Sequence, residues 1–140
     1  MSKTRVVITG AGVISSLAHN RQGLLAALLN RACGVRAMPE WADTLPPDVV
    51  AAPVTLDQDV VKQIDRRFRR SMGPAALFAT LAASQAVAES GLSEDILGSG
   101  RAGCAVSSTM GSPSSIMESC SLLLQGRQDY ISAQQFFKSA

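Results

Sequence analysis

Apolar positions along this chain recur at two spacings. Val6, Val7 and Ile8 form a continuous β-branched run, and Ala102 to Ser108 is a second run of small and apolar residues. Runs of this kind predict strands buried on both faces of a sheet, the first of them central. Helical spacing accounts for most of the remainder. Leu24, Leu25, Leu28 and Leu29 share one face behind Asn20, which predicts a capped helix over 21–31, stopped by Gly34. Pro74 suits the first turn of a long helix that reaches Ser90 and closes at Gly91. Ser114 can cap a further helix to Leu124, with Ile116, Met117, Cys120, Leu123 and Leu124 as its apolar positions and Gly126 as its end.

The segments between are less regular. Pro39, Trp41, Pro46, Pro47 and Pro53 interrupt any period and predict a surface excursion with one short strand over 49–54. Leu56 to Ile64 can form a helical turn or two, Gly98 to Arg101 reads as a turn, and Tyr130 to Ala140 opens another helix. That last segment ends at Ser139-Ala140 without cap, glycine or polar tail, and the chain reads as cut there.

The helix from Pro74 to Ser90 is apolar or small nearly all round, which predicts cover on both sides. One sheet in a 140-residue chain can hardly supply it, so the helix points to a larger parent fold or an oligomer.

Composition narrows the class. At 140 residues and 14.7 kDa the chain fits one domain with a real core, and its 46% hydrophobic content is ordinary. A net charge of +2 is too mild to argue for nucleic acid, and aromatic residues do not interleave with basic ones as a base-stacking surface requires. No apolar run approaches the roughly 18 residues of a membrane helix, and Met1 to Arg5 leads into the first strand without a signal segment. A cytoplasmic protein is expected. Cys33, Cys104 and Cys120 have no C-x-x-C spacing, and with His19 as the sole histidine a metal site is not expected.

Two stretches carry candidate chemistry. Gly10 and Gly12 follow the first strand as in a dinucleotide-binding turn, but the third glycine position holds Ser15. About twenty residues on stand Leu29, Asn30 and Arg31 where an acidic ribose ligand belongs, and Tyr130 is followed at the fourth place by Gln134, not by a dehydrogenase lysine. A structural turn is the competing reading. The second stretch is Asp65-Arg66-Arg67-Phe68-Arg69-Arg70, whose arginines surround most of one helical turn. It is either a solvated face or a docking site for an acidic partner, since guanidinium forks grip carboxylate and phosphate. Cys104 falls within a strand as a core residue, and Cys120 has no basic neighbour in sequence to activate its thiol.

Taken in order, Arg5-Val-Val-Ile-Thr-Gly-Ala-Gly-Val-Ile-Ser-Ser, then Asp65-Arg-Arg-Phe-Arg-Arg-Ser-Met with the alanine-rich helix ending Ala88-Glu-Ser-Gly-Leu-Ser, then Arg101-Ala-Gly-Cys-Ala-Val-Ser-Ser-Thr-Met-Gly-Ser-Pro, carry a resemblance. The chain resembles the N-terminal part of the β-ketoacyl-acyl-carrier-protein synthases, the elongating condensing enzymes, and Met-Gly-Ser-Pro leans towards type I. The resemblance implies an α/β, thiolase-like fold with a mixed sheet between helix layers. Residues 1–140 would form most of its N-terminal half only. It implies decarboxylative Claisen condensation of acyl and malonyl carrier-protein thioesters in fatty-acid or polyketide-like synthesis, by a homodimer that uses no cofactor. The cysteine, two histidines and lysine of that chemistry match nothing here, so no catalytic residue is assigned and the chain alone is expected to be inactive. Arg66, Arg67 and Arg70 match the basic residues that meet the acyl carrier protein; Met110 and Phe137 fall near the acyl pocket. The alternatives are a non-catalytic partner subunit of the same fold and a small dinucleotide-binding protein using Gly10 and Gly12.

Overall fold

Gly73 and Gly91 bracket the longest element of the chain, the helix Pro74–Ser90, in the computed structural model, which describes residues 5–46 and 48–139. Pro74 sits at its first position, and Gly91, at φ 68°, takes the left-handed conformation that terminates it. In chain order the elements are α1 (Arg21–Leu29), β1 (Arg36–Ala37), β2 (Val50–Ala51), α2 (Gln58–Val61), α3 (Arg66–Arg69), α4 (Pro74–Ser90), α5 (Glu94–Gly98), α6 (Pro113–Leu124) and α7 (Ala133–Ser139). Short 3₁₀ turns cover Pro39–Trp41 and Gln128–Tyr130. Pro47 and Ala140, which entered the sequence expectations, lie outside the described residues.

One face of α4 is covered by the segment from Gly10 to His19. A Cβ on Gly10 would overlap the carbonyl of Ala86, and one on Gly12 would overlap that of Ala82. Only glycine lets the extended backbone lie this close to the helix. Two polar side chains of α4, one turn apart, fasten it there. Gln85 accepts from the Val13 amide at 3.1 Å and donates to the His19 carbonyl at 2.7 Å. Glu89 accepts from the Ala11 amide at 2.8 Å and pairs with Arg21 of α1. The core is small: Met38, Ile64 and Leu81 are its buried apolar side chains among the described residues.

The opposite face of α4 opens into a cleft of about 640 Å³, lined by Ala79, Ala83, Val87, Cys104 and Val106 among others. The chain as a whole exposes 10959 Å². A compact monomer of its mass would expose about 6,900 Å². Helix α4 is thus covered on one side only, although its composition predicts cover on two.

Neither predicted buried strand forms among the described residues. Val6 and Ile8 are each 92% exposed and Val106 is 69% exposed. A strand is a pairing, and neither run has a ladder partner here. The described sheet is instead an antiparallel hairpin, with Arg36 opposite Ala51 and Ala37 opposite Val50, so the expected short strand over 49–54 has a partner and spans Val50–Ala51. No mixed sheet is present among the described residues. Cys104, expected in a core, is exposed at the cleft.

The helices follow the sequence more closely. Asn20 caps α1 by accepting from the Gly23 amide at 2.7 Å, but the helix ends at Leu29 because Arg31 turns left-handed at φ 54°. Gly34 is not its stop and lies against Ser16. The cap of α6 is Ser112, not Ser114, and its expected apolar stripe, including Met117, Leu123 and Leu124, faces outward. Helix α5 begins ahead of the expected turn because Ser93 accepts from the Ile96 amide at 3.4 Å. The last helix is shorter than expected, with Gln128–Tyr130 wound as 3₁₀ before α7.

Candidate functional site

A helix of four residues has no stability of its own, so α3 is held by side chains at its ends. Ile64, 8% exposed, anchors its approach in the core. Asp65 caps it, accepting from the Arg67 amide at 2.7 Å. The Arg69 guanidinium folds back and donates to the Val61 carbonyl at 3.0 Å, which ties α3 to α2. That bond removes Arg69 from the outer face.

The other three arginines remain together. Arg66, Arg67 and Arg70 line an open cavity of about 380 Å³. Arg67 stacks on the exposed Phe68 ring, 4.6 Å from its centre, which fixes one wall of the cavity. Asp65 stands 3.8 Å from Arg67, and Arg66 and Arg70 form no ion pair among the described residues. The outcome is a concave surface of guanidinium forks with little internal compensation, suited to carboxylate or phosphate groups on a convex partner.

Met110 and Phe137 stand elsewhere. Met110, 65% exposed, lies in the turn where the Gly111 amide donates to Ser108 Oγ at 3.0 Å. Phe137, 62% exposed, packs edge-on to Phe136 with ring centres 6.1 Å apart. Neither lines the arginine cavity. Both flank one junction, because the Gly73 backbone lies against Ser112 Oγ and the Lys138 carbonyl. Ser112 is 1% exposed there, and its hydroxyl has no hydrogen-bond partner among the described residues.

The glycines after the first run do not build a nucleotide site. Backbone of α4 fills the space beside Gly10 and Gly12, and the amides of Ala11 and Val13 already donate to Glu89 and Gln85. A pyrophosphate there would meet the Glu89 carboxylate in place of free amides. Cys33, Cys104 and Cys120 are all exposed and unpaired. Among the described residues no group of three or more His, Cys, Asp or Glu side chains is placed to hold a metal ion, and no helix is long and apolar enough to cross a membrane.

Known proteins resemble this chain over most of its length. The crystal structure of a beta-ketoacyl synthase from Burkholderia phymatum STM815 superposes with a TM-score of 0.78 at 28% identity, covering 97% of this chain and 34% of that one. The 3-oxoacyl-[acyl-carrier-protein] synthase 1 of Haemophilus influenzae is 34% identical over 116 residues, which is 83% of this chain and 28% of the relative. The enzyme of the same name from Escherichia coli strain K12 is 37% identical over 110 residues, covering 78% of this chain and 27% of the relative. The chain therefore spans little more than a quarter of the length of these curated relatives. The family described as Beta-ketoacyl synthase, N-terminal domain, matches residues 3–138, and the chain belongs to it.

Proposed function

We propose that this chain is the N-terminal part of a β-ketoacyl-acyl-carrier-protein synthase and that it contributes the docking surface for the carrier. The observation that carries the proposal is the open cavity of Arg66, Arg67 and Arg70 on a chain that matches the family over residues 3–138. The reaction is decarboxylative Claisen condensation. A cysteine takes the acyl group from the carrier thioester and releases the carrier thiol; decarboxylation of the malonyl carrier gives carbon dioxide and a carbanion, which attacks the acyl-enzyme carbonyl and expels the cysteine thiolate. No residue of this chain is given a catalytic role: Cys33, Cys104, Cys120 and His19 match none of the family's catalytic positions.

The same proposal gives the whole protein a thiolase-like fold of two similar halves, of which residues 1–140 form most of the N-terminal one. The bare face of α4 and the unpaired runs at Val6 to Ile8 and Ala102 to Ser108 fit a chain whose sheet and central layer are completed by further structure. Met110 would stand beside an acyl pocket, Phe137 would lie near the segment that lines that pocket across the interface of a homodimer, and the enzyme would work in the cytoplasm. A non-catalytic partner subunit would share these features of the chain, and the whole protein would then lack turnover.

Incubation of the intact protein with acyl and malonyl carrier-protein thioesters tests the proposal. Formation of the 3-oxoacyl carrier thioester with release of carbon dioxide is the expected result. Binding of the carrier without condensation would assign the protein to the partner class.

A further inference from the structure

Among the described residues, helix α3 receives one hydrogen bond from a distant part of the chain. Gln134 of α7 donates through Nε2 to the Arg70 carbonyl, across 64 positions of sequence. Its neighbour faces the other way: Gln135 Nε2 donates to Glu118 Oε2 at 2.7 Å and reaches the Ser115 carbonyl at 3.4 Å, both on α6. Successive residues of α7 thus grip the arginine turn and α6. The remaining bonds of α3 are local, from Asp65 at its start and from Arg69 to Val61.

We infer that Gln134 is a positioning residue for the arginine cavity. It satisfies a carbonyl that a helix end leaves open and fixes the direction in which Arg70 leaves α3. Because α3 has four residues and no buried side chain, losing that bond lets Arg70 swing away from Arg66 and Arg67. The cavity would keep its charge and lose its shape. This inference rests on the proposed carrier docking and adds to it a residue with no charge and no resemblance to a docking motif.

Steady-state kinetics of the intact protein test it. Gln134→Met keeps the side-chain volume and removes the donor. The KM for the carrier-bound acyl substrate should rise about two- to fivefold, the range for one lost solvent-facing hydrogen bond. Turnover with an acyl thioester of a small soluble thiol, and the melting temperature, should stay unchanged. Gln134→Leu, likewise unable to donate and also uncharged, should raise the carrier KM to the same extent. An unchanged carrier KM in both variants, while Arg66→Ala/Arg67→Ala/Arg70→Ala raises it, overturns the role of Gln134 and leaves docking intact. A parallel loss with both substrates overturns it in favour of plain stability. If the triple arginine variant also leaves the carrier KM unchanged, docking itself fails and the positioning role falls with it.

Discussion

The side-chain amide of Gln85, in the middle of α4, donates to the backbone carbonyl of His19 at 2.7 Å. The same amide accepts from Val13 at 3.1 Å, so one side chain closes both ends of the backbone bend from Val13 to His19. On a helix otherwise built of apolar and small residues, Gln85 and Glu89 supply the polar bonds that the Gly10 to His19 segment lacks from any sheet.

Replacing Gln85 with Leu would leave the Val13 amide and the His19 carbonyl without their partner in a partly buried seam. The expected loss of stability is about 1–3 kcal/mol, the cost of stranding such groups. Denaturant unfolding of the variant, with an unchanged m-value, checks it; an unchanged midpoint would mean that the seam contributes nothing.

Gly12→Ala puts a methyl group into the Ala82 carbonyl. Backbone on both sides of the contact must move, and a cost of about 1–3 kcal/mol follows from overpacking alone. Gly98→Ala is the control, since nothing lies within 4 Å of a Cβ there. Equal stability of the two variants would contradict the close approach of this segment to α4.

The β1–β2 hairpin has a titratable contact. Glu40 is held below its ordinary value of 4.5, first by a hydrogen bond from its own backbone, which outweighs an opposing effect of desolvation, and then by the hydrogen bond and charge of Arg36 at 3.2 Å. A depressed carboxyl stabilises the fold above its unfolded pKa, and that contribution is lost as pH falls from 4.5 through the folded value. A carboxyl-carbon titration of Glu40 by NMR should give a midpoint below 4.5, moving upward but not fully in Arg36→Ala. A wild-type midpoint at or above 4.5 would refute the contact.

Local signals carried most of what the sequence disclosed. The Asn20 cap, Pro74, Gly91 and the leucine and alanine spacing place α1 and α4 within two residues, since capping and periodicity act over one or two turns. Val6 to Ile8 and Ala102 to Ser108 carry strand composition, but pairing is non-local and no described segment pairs with them. The outward stripe of α6 has the same origin: helical spacing reveals an apolar face without saying what covers it. In the site, the cluster at Arg66 to Arg70 was legible as charge, and the resemblance singled out the three that share the cavity. The inward turn of Arg69 depends on the Val61 carbonyl, and the bond from Gln134 depends on the course of α7; neither has a sequence signature.

The most direct test is a titration of the intact protein with an acyl carrier protein over a range of salt concentrations, for the wild type and for Arg66→Ala/Arg67→Ala/Arg70→Ala. Docking through these arginines predicts a loss on the order of 10-fold or more in affinity at low salt, with a shallower salt dependence in the variant. Equal affinity and equal salt dependence of the two proteins would contradict it.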